Sequence, residues 1–234
     1  MRTSLAARAA AVLAAAAVSL TFAAAPATAV ETPATFTTFS ITSNVITSRP
    51  TTQFFGTVQT TTPSSPIVSA STSVAVNGVV KGSVPLILGT GNGGVDVPRV
   101  WGAGEVRLGP TTFTYADGTT STTTRVTYFN ARRDIKVNRA DNIALTVKRS
   151  GDLVRFRVKK LTVIVPESGR YTSLRKIRLQ SLRSGTWRDI ARIKLNRAGN
   201  GSVSFTMKKK YRYRLISDQS ATQVGFTSAK TGKI

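Results

Sequence analysis

Between Tyr171 and Ser217 the chain reads YTSLRKIRLQSLRSGTWRDIARIKLNRAGNGSVSFTMKKKYRYRLIS, and apolar and cationic residues alternate along it. Ile177 and Leu179 alternate with Lys176 and Arg178, Ile193 and Leu195 with Arg192 and Lys194, and Tyr211, Tyr213 and Leu215 with Arg212 and Arg214. A period of two is the signature of a strand with one face in the core and one in water, as antiparallel sheets allow. Turn signals divide these strands: Ser184-Gly185 leads into Trp187, and Ala198-Gly199-Asn200-Gly201 leads into Val203, Phe205 and Met207. The expected core side is Ile177, Leu179, Trp187, Ile193, Leu195, Phe205 and Tyr213, with Tyr211 facing inward beside Tyr213.

The same grammar extends in both directions. Upstream, Val154, Phe156 and Val158 face one way while Arg155, Arg157 and Lys159 face the other, after the turn Arg149-Ser150-Gly151-Asp152. Further back, Thr35 to Ser43, Gln53 to Val58 and Ser69 to Val80 are rich in threonine, valine and phenylalanine, which fit a pleated, half-buried surface. Glycines at Gly89, Gly91, Gly93 and Gly94 read as an inter-strand loop, because Val95-Asp96-Val97-Pro98 follows in place of a helix and no phosphate-loop ending is present. No window of ten or more residues repeats apolar side chains at helical spacing. Short strands with turn signals about every 8 to 12 residues are the signature of an all-β sandwich or barrel.

Charge sets the expected boundaries. Arg2 and Arg8 precede an uncharged Ala-rich run, and Ala27-Thr28-Ala29 supplies a small-x-small cleavage pattern, so residues 1–29 read as a cleaved signal peptide. Residues 30–131 carry five Lys/Arg against four acids, a net of +1, and residues 132–234 carry 26 against six, a net of +20. The expected division is therefore a near-neutral, Thr-rich sandwich over 30–131 and a strongly basic one over 132–234. No later segment is long and apolar enough to span a membrane. The expected product is secreted, or held at the cell surface by noncovalent contacts. With no cysteine, its stability must come from core burial rather than disulfides.

The spacing Ile177-x-Leu179-Gln180, Ser184-Gly185-x-Trp187, a glycine at 199 or 201 before Val203-x-Phe205, then Tyr213-Arg214 resembles the bacterial Ig-like (fibronectin type III-like) domains of secreted actinobacterial proteins. The resemblance covers Lys136 to Ile234. It implies an Ig-like sandwich fold and a spacer or adhesive role, with no catalytic signature, so the expected protein is all-β, with two Ig-like antiparallel β-sandwich domains after the signal peptide. The segment from Thr35 to Asn130 lacks an equivalent Trp and Tyr-Arg pair.

Missing residues exclude much chemistry. The sequence has no His and no Cys, so Ser-His-Asp triads, Cys-His pairs and His- or Cys-based metal sites are impossible. Acids with turn glycines, such as Asp117 and Asp152, read as turn residues. No calcium-loop pattern is present, and no cofactor or metal is expected. The expectation is a non-enzymatic protein. A carboxylate-dependent carbohydrate-active hydrolase, for example with Glu105 and Asp117, is the alternative, as is an assembly subunit with an open sheet edge.

The cationic sides of the strands are the candidate site. Residues i and i+2 lie about 6.5 to 7 Å apart on one face, so Arg155, Arg157 and Lys159, Lys176 and Arg178, Arg192 and Lys194, and Arg212 and Arg214 form rows of charge. Lys208, Lys209 and Lys210 add a cationic loop. The net of +20 exceeds the magnitude of about 2 to 8 that solubility requires of a small domain. The expected partner is an anionic cell-wall polymer or membrane surface, with nucleic acid bound without sequence reading in the same electrostatic class.

Overall fold

Strand-forming composition becomes two sets of sheets, each closed around its own core. The computed structural model describes residues 32–42 and 44–234, which form one compact unit from Thr32 onward. The expected signal peptide lies outside the described residues.

Nine strands occupy the first half: β1 (Phe36–Ile41), β2 (Val45–Ile46), β3 (Thr51–Thr60), β4 (Ile67–Val76), β5 (Val79–Ile87), β6 (Gly89–Pro98), β7 (Gly104–Tyr115), β8 (Thr120–Thr123) and β9 (Thr127–Arg133). They pair into a single sheet in the order β1-β3-β6-β5-β4-β7-β9-β2, with β8 on β7. All pairs are antiparallel except the short β2–β9 pair. The start of β5 pairs with β4 and its end with β6, so β5 links the β1-β3-β6 ladder to the β4-β7-β9 ladder, and their buried side chains meet across one interior. The Phe36 ring of β1 reaches Phe113 of β7 at 5.4 Å, and Phe54 of β3 reaches Phe129 of β9 at 4.9 Å. Both pairs adopt the edge-to-face geometry that aromatic quadrupoles favour.

The glycine run expected as a loop is strand β6. Gly93 lies opposite Gly56 and Gly94 opposite Phe55 on β3. A side-chain carbon at Gly56 would collide with the Ser40 carbonyl of β1, and one at Gly94 with the Phe54 carbonyl of β3. Glycine is therefore the residue that lets three backbones approach where the sheet bends, a tertiary demand that turn-based reading of glycine misses.

The second half contains β10 (Ile135–Val137), β11 (Leu145–Ser150), β12 (Leu153–Val158), β13 (Leu161–Val165), β14 (Arg170–Ser173), β15 (Lys176–Arg183), β16 (Thr186–Lys194), β17 (Gly201–Thr206), β18 (Arg212–Ser217) and β19 (Phe226–Thr227). Three antiparallel sheets result: β10-β13-β14, β11-β12-β17 and β16-β15-β18-β19. The last two face each other. Val154, Phe156 and Val158 of one sheet share a core with Ile177, Leu179, Ile193, Tyr213 and Leu215 of the other. The Phe156 and Tyr213 rings meet at 4.7 Å across the layers.

Between the two cores the chain is held on both sides. Ala131 belongs to the first core and Ile135 to the second. Arg132 N–H donates to the Asn44 carbonyl at 2.7 Å, while Arg133 N–H donates to the Thr222 carbonyl at 3.0 Å and the Val224 N–H to the Arg133 carbonyl at 3.1 Å. Arg99, in the 3-10 turn Arg99–Trp101, donates to the carbonyls of Arg49 and Pro166 and packs its guanidinium against Gly169.

Candidate anion-binding surfaces

The facing of β11-β12-β17 and β16-β15-β18 separates the expected cations, because outer faces of a two-layer stack point away from each other. Arg155 and Arg157 alternate with the buried Val154, Phe156 and Val158 and so occupy one outer face. Across that face Arg155 pairs with Lys148 and Ser204, and Arg157 with Thr146 and Ser202. Lys148 was absent from the expected site, although its polar position beside Val147 marks it in the sequence. Lys159 lies just past the end of β12 and with Arg157 lines a groove of about 480 Å³ that includes Asn196 and Asn200.

The opposite face carries Lys176, Arg178, Arg192, Lys194 and Arg214. Lys176 stands directly across from Lys194, and Arg178 from Arg192. Two of these five cations are committed within the protein. Arg178 donates to Asp189 at 2.9 Å and also to Asp218, 40 residues away in the chain. The Asp189 hydrogen bond raises the Arg178 pKa further. The Gln180 amide, donating at 2.7 Å, and then Arg178 hold the Asp189 carboxyl below its ordinary value. Arg214 donates to the Gln180 side-chain oxygen at 2.9 Å and lies 4.3 Å over the Trp187 ring. Lys176, Arg192 and Lys194 make no side-chain hydrogen bond or ion pair among the described residues.

Trp187 itself is a correction. Strict alternation from Ile193 puts it in the core, but the ladder slips after Leu179: Ala191 opposes Leu179 and Asp189 opposes Gln180. Ile190 is the extra residue, and it packs toward the core beside Ala191. Such a bulge inverts every later position, so Trp187 lies half-buried on the outer face beneath Arg214. The other expected core residues are buried, or partly buried against the core in the case of Leu195, Phe205 and Tyr211.

A third cationic surface forms at the end of the stack. Lys209, Lys210, Tyr211, Arg212 and Lys233 line a groove of about 720 Å³ with Leu182, Ser184 and Gly185, and no acid is among its lining residues. The Arg183 guanidinium sits 5.2 Å from the Tyr211 ring beside it. Lys208 adjoins the groove. None of these lysines, nor Arg212, belongs to an ion pair among the described residues.

Sequence reading missed how this groove is built. Arg149, only 14% exposed in its side chain, donates to the carbonyls of Gly151, Met207, Lys208 and Lys209. Its planar, multi-donor head suits several converging acceptors. Lys233 arrives because the tail runs along β18: Thr231 N–H donates to the Tyr213 carbonyl at 2.9 Å, and Ile234 exchanges two backbone hydrogen bonds with Tyr211. The same tail, with β19, covers the outer edge of β18. Tyr213 is unavailable to a ligand, since it is fully buried, its hydroxyl donates to the Met207 sulfur, and burial raises its pKa.

The carboxylate pair suggested for hydrolysis does not assemble. Glu105 is the second residue of β7 and Asp117 lies in the turn past its last residue, at opposite ends of the β4–β7 ladder. Among the described residues, no three His, Cys, Asp or Glu side chains cluster to hold a metal, and no helix is long and apolar enough to cross a membrane. No family model and no curated protein matches the chain.

Proposed function

We propose that the chain is a secreted, non-enzymatic structural or adhesive protein that contacts anionic envelope polymers or lipid head groups through its basic second half. The observation that carries this reading is the groove of Lys209, Lys210, Arg212 and Lys233. Four cations line it with no acid among its lining residues, two of them on a loop that Arg149 fixes. Holding like charges together without partners costs free energy, and an arriving polyanion offsets that cost while releasing its counterions.

The strand order supports an Ig-like, fibronectin type III-like sandwich in residues 136–234. Outside the β10-β13-β14 sheet, the first, second and fifth strands form one layer, and the third, fourth, sixth and seventh form the other. Ig domains put the first, second, fourth and fifth strands on one layer and the third, sixth and seventh on the other, so six of the seven lie as in that fold. Residues 30–131, whose described part is built around a separate core, form the other domain of the proposed arrangement. The basic, Ala-rich start of the sequence supports secretion.

The reading is tested by cosedimentation of the purified chain with vesicles of pure phosphatidylcholine and vesicles containing phosphatidylglycerol, and by its binding to inorganic polyphosphate, across a salt series. Retention by the anionic partners that falls steeply with salt is expected. Equal retention by neutral vesicles, or binding indifferent to salt, would overturn it.

A further inference from the structure

The near-neutral first half holds a pocket of a different character. Its floor is the outer face of β3 and β6. Thr51, Gln53 and Phe55 project from alternate positions of β3, and Asp96 of β6 stands directly opposite Gln53. The segment around Arg49 that leads from β2 into β3 forms a wall of this open cleft of about 550 Å³. That volume is within the range of small-molecule sites, about 300 to 1,000 Å³.

Three features define what would fit. Among the described residues that line it, the Arg49 guanidinium and Asp96 carboxylate are the only ionisable groups, and their charges cancel, so the pocket favours no net charge. Among the described residues, the side chains of Arg49, Thr51, Gln53 and Asp96 make no hydrogen bond or ion pair with the protein. Finally, Phe55 is 38% exposed and stands across from Gly94. With no side chain opposite it, one flank of the ring is open.

We propose that this pocket binds a neutral pyranose sugar. A carboxylate accepts from adjacent sugar hydroxyls, the guanidinium and amide donate to them, and the aromatic ring receives the apolar C–H side of the sugar. This site is separate from the anion-binding groove in residues, charge and ligand, and it stands whether or not that groove binds polyanions.

The test is saturation-transfer NMR and calorimetry on the full chain with methyl α-mannopyranoside, methyl β-glucopyranoside, methyl β-galactopyranoside and N-acetylglucosamine, with inorganic phosphate as the charged control. At least one sugar should saturate with a Kd on the order of millimolar, as expected of a single small ring with few anchoring groups. Its affinity should be unchanged as salt rises, because no net charge is neutralised. Asp96→Asn and Phe55→Ala should each weaken binding about tenfold, roughly the effect of one lost hydrogen bond or ring contact. Both positions are exposed, and unchanged amide spectra would show that the variants fold. A Lys209→Gln, Lys210→Gln variant should bind the sugar normally. Failure of all four sugars to saturate, binding of phosphate instead, or full sugar binding by both Asp96→Asn and Phe55→Ala would overturn the proposal.

Discussion

Replacing Lys209, Lys210, Arg212 and Lys233 together by Gln removes every cation that lines the groove at the end of the second-half sandwich. Each cation that neutralises a phosphate of a single-stranded polyanion contributes about −0.7 to the slope of log K against log salt. Four such contacts contribute about −2.8, equivalent to roughly 50-fold weaker binding on going from 50 to 200 mM salt. The variant should therefore bind labelled polyphosphate with a slope shallower by nearly three units, measured by fluorescence anisotropy over a salt series. Among the described residues those side chains join no ion pair, and removing them relieves like-charge repulsion, so the variant should unfold thermally no earlier than the parent chain. Two comparison variants locate the contact. Arg155→Gln with Arg157→Gln acts on one outer face, and Arg192→Gln with Lys194→Gln on the opposite one, so one flat polyanionic surface cannot engage both pairs. A groove variant that keeps the parental slope, while either face variant loses its own share, would refute the assignment of the contact to the groove.

Other consequences concern the scaffold. Arg149→Met strips donors from four backbone carbonyls and should destabilise the protein by about 2 to 3 kcal/mol, with faster amide exchange at residues 208–210; urea denaturation and hydrogen exchange report both. Phe156 is fully buried between the facing sheets, and Phe156→Ala should cost about 3 to 5 kcal/mol in chemical denaturation through the cavity it leaves. The hydrogen bonds of Asp141, first from Arg139 and then from the Ile143 N–H, lower its pKa to about 2. A lowered carboxyl pKa stabilises the fold above its unfolded-state value, and that contribution disappears as pH falls toward about 2. Carboxyl-carbon NMR should place this titration there and show it shifted upward in Arg139→Gln.

Strand existence was legible because alternation is a local rule that needs only neighbours in the chain. Arg155 and Arg157 face solvent as their phase with Val154 and Phe156 requires, and Tyr213 and Leu215 are inside. Trp187 was misplaced because a single inserted residue, Ile190, inverts the phase, and nothing in Trp187-Arg188-Asp189-Ile190-Ala191 announces a bulge. The glycine run was misread for a related reason. Glycine serves both turns and close backbone approach, and only the strands packed against β6 distinguish the two.

By itself, then, the sequence determined the all-β character, the change from a neutral to a basic half and the absence of His and Cys chemistry, since composition and period-two alternation are properties of the chain alone. The tertiary structure decided which charges act together. Asp189 and Asp218 neutralise Arg178 through pairing of distant strands, and stacking of two sheets sends Arg155 and Arg192 to opposite sides. Arg149 and the returning tail gather Lys209, Lys210, Arg212 and Lys233 into one groove. Charge acts through space over a few ångströms, and those distances are set by packing between segments tens of residues apart.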